Sequence, residues 1–166
     1  MKTATLLMIG ALLVGNAWAR VGETVEQAAE RYGSPSDFHA GLYSNTVVRE
    51  YRMAGVRVEA TFFASASGKS VIGEIKYSLP YQMAQSNAVA KAVLLQLLEA
   101  NAAGQHWEMQ ANRPVTQEYS RPGATAIVES TLLTVTLAEY TAFAISEKDR
   151  LVREQGSRID TRMKDF

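Results

Sequence analysis

The chain contains no cysteine. That excludes disulfide staples, thiol catalysis, cysteine-ligated zinc and the acylated cysteine that anchors bacterial lipoproteins. Histidine is nearly as scarce. Only His39 and His106 occur, and neither stands in an H-x-x-x-H or H-E-x-x-H spacing, so metal ligation and histidine-based acid-base chemistry lack support. No G-x-S-x-G elbow is present either. An excess of one charge is also missing, because 17 Lys and Arg balance 17 Asp and Glu. A balanced chain offers no electrostatic footprint for nucleic acid or an anionic membrane surface. No linker rich in Pro, Gly or Ser divides the sequence, and no apolar run approaches the roughly 20 residues that span a bilayer. Nothing implies a cofactor, a metal or a catalytic residue.

One short apolar run is present, at the start. "MKTATLLMIGALLVGNAWA" carries a single positive charge at Lys2, an apolar stretch from Leu6 to Val14, and Ala17-Trp18-Ala19 at its end. Small residues at the first and third positions before a cut fit a signal peptidase pocket. The pattern predicts a cleavable signal over residues 1–19, a mature chain beginning at Arg20, and a periplasmic or secreted protein with no stable membrane insertion. Residues 20–156 are then long enough for one compact domain with its own core. Without disulfides, that core alone must hold an exported fold together.

The mature chain opens on "VGETVEQAAERYGSP". Thr24 and Gln27 have capping-box spacing. Val25, Ala28, Ala29 and Tyr32 repeat at i, i+3, i+4 and i+7, the stripe of a helix lying on a core. Gly33 supplies the stop and Pro35 blocks continuation.

The Gly22-x-Thr24 and Gly33-x-Pro35 pair, separated by a helix, resembles the opening of the SmpA/OmlA-like small envelope proteins, whose fold is shared by β-lactamase-inhibitor proteins. The resemblance covers residues 22–77. It implies a helical start packed on an antiparallel sheet, and a role in binding other proteins during envelope assembly or enzyme inhibition. This chain departs from those lipoproteins in lacking the lipid-attachment cysteine.

Residues 36–45 have turn chemistry and no period, and so predict a loop. Strands follow. Val47, Tyr51 and Met53 share a face that Arg49 interrupts, and Ala54-Gly55 reverses the chain. Val56, Val58, Ala60, Phe62 and Ala64 alternate against Arg57, Glu59, Thr61 and Phe63. After the "SASGKS" hairpin loop, Val71, Gly73, Ile75 and Tyr77 alternate against Ile72, Glu74 and Lys76. The Gly68-Lys69-Ser70 step lacks the upstream glycine and following helix of a phosphate cradle.

From Pro80 the period changes. Ser86 precedes a helix with an apolar stripe of Val89, Val93, Leu94, Leu97 and Leu98, ended by Gly104. Short strands then read from "QHWEMQ", "PVTQEYS", "ATAIVES" and "LLTVT", with a turn at Arg121-Pro122-Gly123. Thr136 and Glu139 have cap spacing for a terminal helix stopping at Gly156; the alternative is a strand over 137–145 and a helix begun at Ser146. Residues 157–166 read as a frayed tail.

The expected fold class is α+β, helices on antiparallel sheet, either as two related helix-plus-strands units (20–79 and 80–156) sharing a sheet or as one domain without internal symmetry. Glu50, Glu59 and Glu74 interleave with Arg49, Arg52, Arg57 and Lys76, the pattern of cross-strand ion pairs. Phe63 and Ile72 fall on the otherwise polar side of their hairpin and form a candidate interaction patch, unless another element covers them. The segment from Glu147 to Lys164 is a candidate docking arm or a solvated helix face. Two functions fit these features. The first is an exported, non-catalytic domain that binds another envelope or extracellular protein. The second is a small-molecule binder or small enzyme, with a pocket between helix 87–101 and the sheet lined by Tyr77, Trp107 and Tyr119.

Overall fold

The structure, a computed structural model, describes residues 20–164, with side-chain detail as far as residue 155. The expected signal segment 1–19 lies outside the described residues. The fold class is α+β. Strands β1 (Asp37–Ala40), β2 (Val47–Met53), β3 (Val56–Ala64), β4 (Ser70–Ser78), β5 (Glu108–Asn112), β6 (Thr116–Arg121), β7 (Ala124–Glu129) and β8 (Leu132–Leu137) join helices α1 (Val25–Tyr32), α2 (Tyr81–Ala84), α3 (Asn87–Ala100) and α4 (Ala138–Lys164). All eight strands form one antiparallel sheet in the order β1-β2-β3-β4-β8-β7-β6-β5. Each half is therefore a helix followed by a four-strand meander, and the last strands of the two meanders pair at the centre.

The first helix forms as its sequence dictates. Thr24 Oγ1 accepts from the Gln27 backbone, and Gln27 Oε1 accepts from the Thr24 backbone at 2.8 Å, so two orphan donors satisfy each other. Ala28 points into the core. In the second half, Ala90, Val93, Leu94, Leu97 and Leu98 of α3 press on the same side of the sheet, and one apolar cluster joins them to Val58, Phe62, Ile75, Tyr77, Leu133 and Val135. Each such fully buried aliphatic side chain contributes about 1.5 to 3 kcal/mol relative to exposure, which is how the domain manages without disulfides.

Helix α4 takes the other side. Tyr140 and Phe143 pack on Phe63 and Val71 in a second, smaller cluster. The molecule thus has three layers: α1 and α3, the sheet, and α4.

Several expectations are corrected. Residues 37–40 of the expected loop form β1, an edge strand whose four residues are all exposed and so carry no alternation. Helix α4 starts directly after β8, with no strand over 137–145. It also runs through Gly156 to Lys164, so residues 157–164 are helical rather than a frayed tail. A single interior glycine costs a helix only about 1 kcal/mol.

Candidate functional site

The sequence's interaction patch does not reach the surface. Ile72 is fully buried and Phe63 nearly so. Their separation follows from a β-bulge in β4. Thr61 pairs with Glu74 but Phe62 pairs with Ile72, leaving Gly73 as an extra residue. The bulge reverses the alternation. Ile72 consequently turns to the α1/α3 side with Phe62 and Ile75, while Val71 joins Phe63 beneath Tyr140. Phe63 does lie on the α4 side as its phase implies, but the terminal helix covers it.

Tyr77, Trp107 and Tyr119 also belong to the core rather than to an open pocket. Two of them serve the end of α3, whose last carbonyls lack helical partners. The Trp107 ring nitrogen donates to the Leu98 carbonyl at 2.8 Å, and Asn101 Nδ2 donates to both the Leu97 carbonyl and the Tyr77 hydroxyl at 2.9 Å. Arg20 Nε adds a third such donor, to Ala100 O at 3.0 Å. Arg121 lies over the Trp107 ring, 5.0 Å from its centroid. These side chains fill the space under the C-terminal end of α3; at its first turn a cleft of about 240 Å³ remains, lined by Asn87, Lys91, Asn112, Thr116 and Gln117.

Glu50, Glu59 and Glu74 do share the α4 side, and each is paired. Arg57 reaches Glu50 at 2.8 Å and Glu59 at 3.1 Å, Arg52 reaches Glu50 at 3.3 Å, and Lys76 reaches Glu74 at 3.0 Å. The Arg57 hydrogen bond is the main reason the Glu50 carboxyl is held below the usual carboxylate range. Arg49 is not part of this set: it lies over Phe62 on the opposite side, 5.5 Å from the ring centroid.

Helix α4 is fixed to the body near its start. Glu139 accepts from the Ala66 backbone, Phe143 meets Tyr43 edge-on, and Arg150 joins Glu147 and Ser44. Beside it, a cleft of about 430 Å³ runs between helix and sheet, with Val48, Glu74 and Lys76 on its floor and Leu42, Ile145 and Lys148 at its rim. Among the described residues, no three His, Asp or Glu side chains converge as a metal site would need.

Burial pushes the Tyr140 hydroxyl up to about 12, with Glu74 and Tyr43 adding to the effect, and burial raises Tyr77 too. The folded state favours their neutral forms. That stability is complete below the ordinary tyrosine value of about 10 and is lost as pH rises through the raised value. Denaturant unfolding between about pH 10 and 12 should show a steep fall, and Tyr140→Phe should flatten it. An equally steep fall in the variant would place the alkaline loss elsewhere.

Beyond α4 the same side of the sheet is less covered, and its apolar side chains have acidic neighbours, with Glu118 directly across from Ile127 and Glu129 across from Leu132. Register places Thr125, Ile127, Leu132 and Thr134 on it, across β7 and β8. Ile127 is 41% exposed, whereas its neighbours Ala126 and Val128 are buried under α3. The sequence reading passed over this face; its only signal was an isoleucine on the outer phase of "ATAIVES". No protein-family model, curated protein or solved structure matches the chain.

Proposed function

We propose that this chain is an exported, non-catalytic domain that binds another envelope or extracellular protein through the α4 side of its sheet. The observation that carries the reading is the contrast between the two sides. The core between α3 and the sheet is filled by side chains apart from a cleft of about 240 Å³ at the first turn of α3, while on the other side Ile127 is exposed and Leu132 and Thr134 are half-buried. Protein interfaces deplete charge at their centre and keep polar groups at the rim. Here the apolar side chains of Ile127 and Leu132 stand opposite Glu118 and Glu129, and Glu118 is itself paired with Arg113 at 3.5 Å. The balanced composition argues for a protein partner rather than nucleic acid. Among the described residues no helix is long and apolar enough to cross a membrane. The resemblance of residues 22–77 to SmpA/OmlA-like proteins supports the same class of activity, by analogy.

Ile127→Arg tests the face. A charge at the centre of an interface costs binding, whereas at an open surface it changes stability by no more than about 0.5 kcal/mol. Mature protein from Arg20 should retain a partner from an envelope extract, and the variant should lose it about tenfold or more while unfolding at the same denaturant concentration. Equal retention by both would remove this face from the proposal.

A further inference from the structure

We infer that cleavage between Ala19 and Arg20 completes the fold, by creating an α-ammonium group that pairs with the Glu23 carboxylate. The inference rests on the export half of the proposed function and is independent of its binding face.

The corner around Arg20 is built in advance. The Glu23 backbone donates to Arg20 O at 3.2 Å, and the Arg20 backbone nitrogen donates to Glu23 Oε2 at 3.1 Å, so the turn is closed from both sides. Gly22, at φ +90°, supplies the left-handed third position that such a turn requires. Val21 enters the core, Gly22 donates to Ile72 O at 2.7 Å, and Ile72 donates back to Glu23 O at 2.8 Å. Glu23 is itself only 9% exposed, and its second oxygen holds Arg31 at 2.8 Å. The Arg20 side chain meanwhile reaches the end of α3. Arg20 thus ties the Glu23 carboxylate, just ahead of α1, to the second half of the molecule.

Hydrolysis of the Ala19–Arg20 bond places the water hydroxyl on the Ala19 carbonyl carbon and a proton on the Arg20 nitrogen. With an ordinary value of about 7.7 to 8.0, that amine takes up a further proton near neutral pH. The atom that donates a neutral hydrogen bond in the precursor then donates a charge-assisted one, which is shorter and roughly twice as strong. A signal peptidase needs the cleaved segment extended in its groove, and residues 20–23 are folded into a turn. Processing therefore precedes closure of this corner.

The test uses three forms of the mature chain: a free Arg20 amine, an acetylated Arg20, and a chain begun one residue earlier at Ala19. The free-amine form should unfold at the highest denaturant concentration, with the folded-to-unfolded ratio about three- to tenfold above the other two. In Glu23→Gln the acetylation difference should vanish. Should that variant not fold, Glu23→Asp keeps the charge with a shorter reach, and the difference should shrink. If all three forms unfold together, or acetylation costs as much in the Glu23 variant as in the unaltered chain, the pairing is wrong. Mass spectrometry of exported material judges the cut separately: an N-terminus other than Arg20 overturns the processing step and leaves the measured pairing standing.

Discussion

Leu97→Ala should lower the unfolding free energy of the domain by about 2 to 5 kcal/mol, the loss of buried methyl groups plus a residual cavity. Leu97 has no exposed surface, and it sits in the middle of the α3 stripe with Leu94 and Leu98 on either side. It shares one apolar cluster with the joint of the two meanders, where Ile75 and Tyr77 of β4 pair with Val135 and Leu133 of β8. Neither layer can move in to fill a hole, because α3 is tied at its end by Asn101, Trp107 and Arg20. A domain's total stability is typically about 5 to 15 kcal/mol, and no disulfide exists to offset the loss. Lys91→Ala, on the exposed face of the same helix, is the control. Denaturant unfolding should separate the two variants clearly. Coincident transitions would mean that α3 is not the lid of this core.

The contrast between α3 and the β4 strand shows what kind of information the sequence carries. In α3 the first position of the expected stripe, Val89, is only half-buried, and Ala90 takes its place in the core. Val93, Leu94, Leu97 and Leu98 recur at helical spacing, so their shared burial could be read directly. The same was true of the α1 cap, of the Ala54-Gly55 reversal and of the α+β class. In β4 the alternation rule held for Ile75 and Tyr77 and failed at Ile72, because a bulge inserts one residue and turns the strand over. Nothing local distinguishes Gly73 as a bulge rather than an ordinary strand glycine, and the decision belongs to the helix packed above it. The pocket aromatics failed for a related reason. Tyr77 and Trp107 have the composition of a ligand site, but their polar atoms are spent on α3 and its Asn101 cap. Long-range pairing of that kind has no signature in spacing.

The candidate face was illegible for a further reason. Thr125, Ile127, Leu132 and Thr134 become neighbours only through the β7/β8 register, and whether they are open depends on where α4 lies. A sequence pattern reports which residues alternate, not which side a later helix will cover. The helix in turn was legible only roughly at its start, because Thr136 belongs to β8 and Glu139 accepts from the Ala66 backbone instead of completing a cap, and illegible at its end, because Gly156 resembles a stop and is not one.

Gly73→Ala should cost about 1 to 3 kcal/mol through overpacking, and the cost should fall on the docking of α4. A Cβ added at Gly73 would stand 2.5 Å from Cγ and Cδ2 of Tyr140 and 2.7 Å from its Cβ. Turning the ring cannot relieve the last of these, since that atom is bonded to the helix backbone. Either α4 lifts or the bulge flattens. Gly73 is not among the residues at positive φ, so alanine suits the backbone there and the penalty comes from contact alone. The same change made in Tyr140→Gly, where the ring and its Cβ are both gone, should therefore cost distinctly less, and the two substitutions should not add. Amide exchange gives the spatial readout: faster opening over residues 138–150, with protection of β3 kept. Equal costs in both backgrounds would show that the glycine serves the bulge itself and not the helix that covers it.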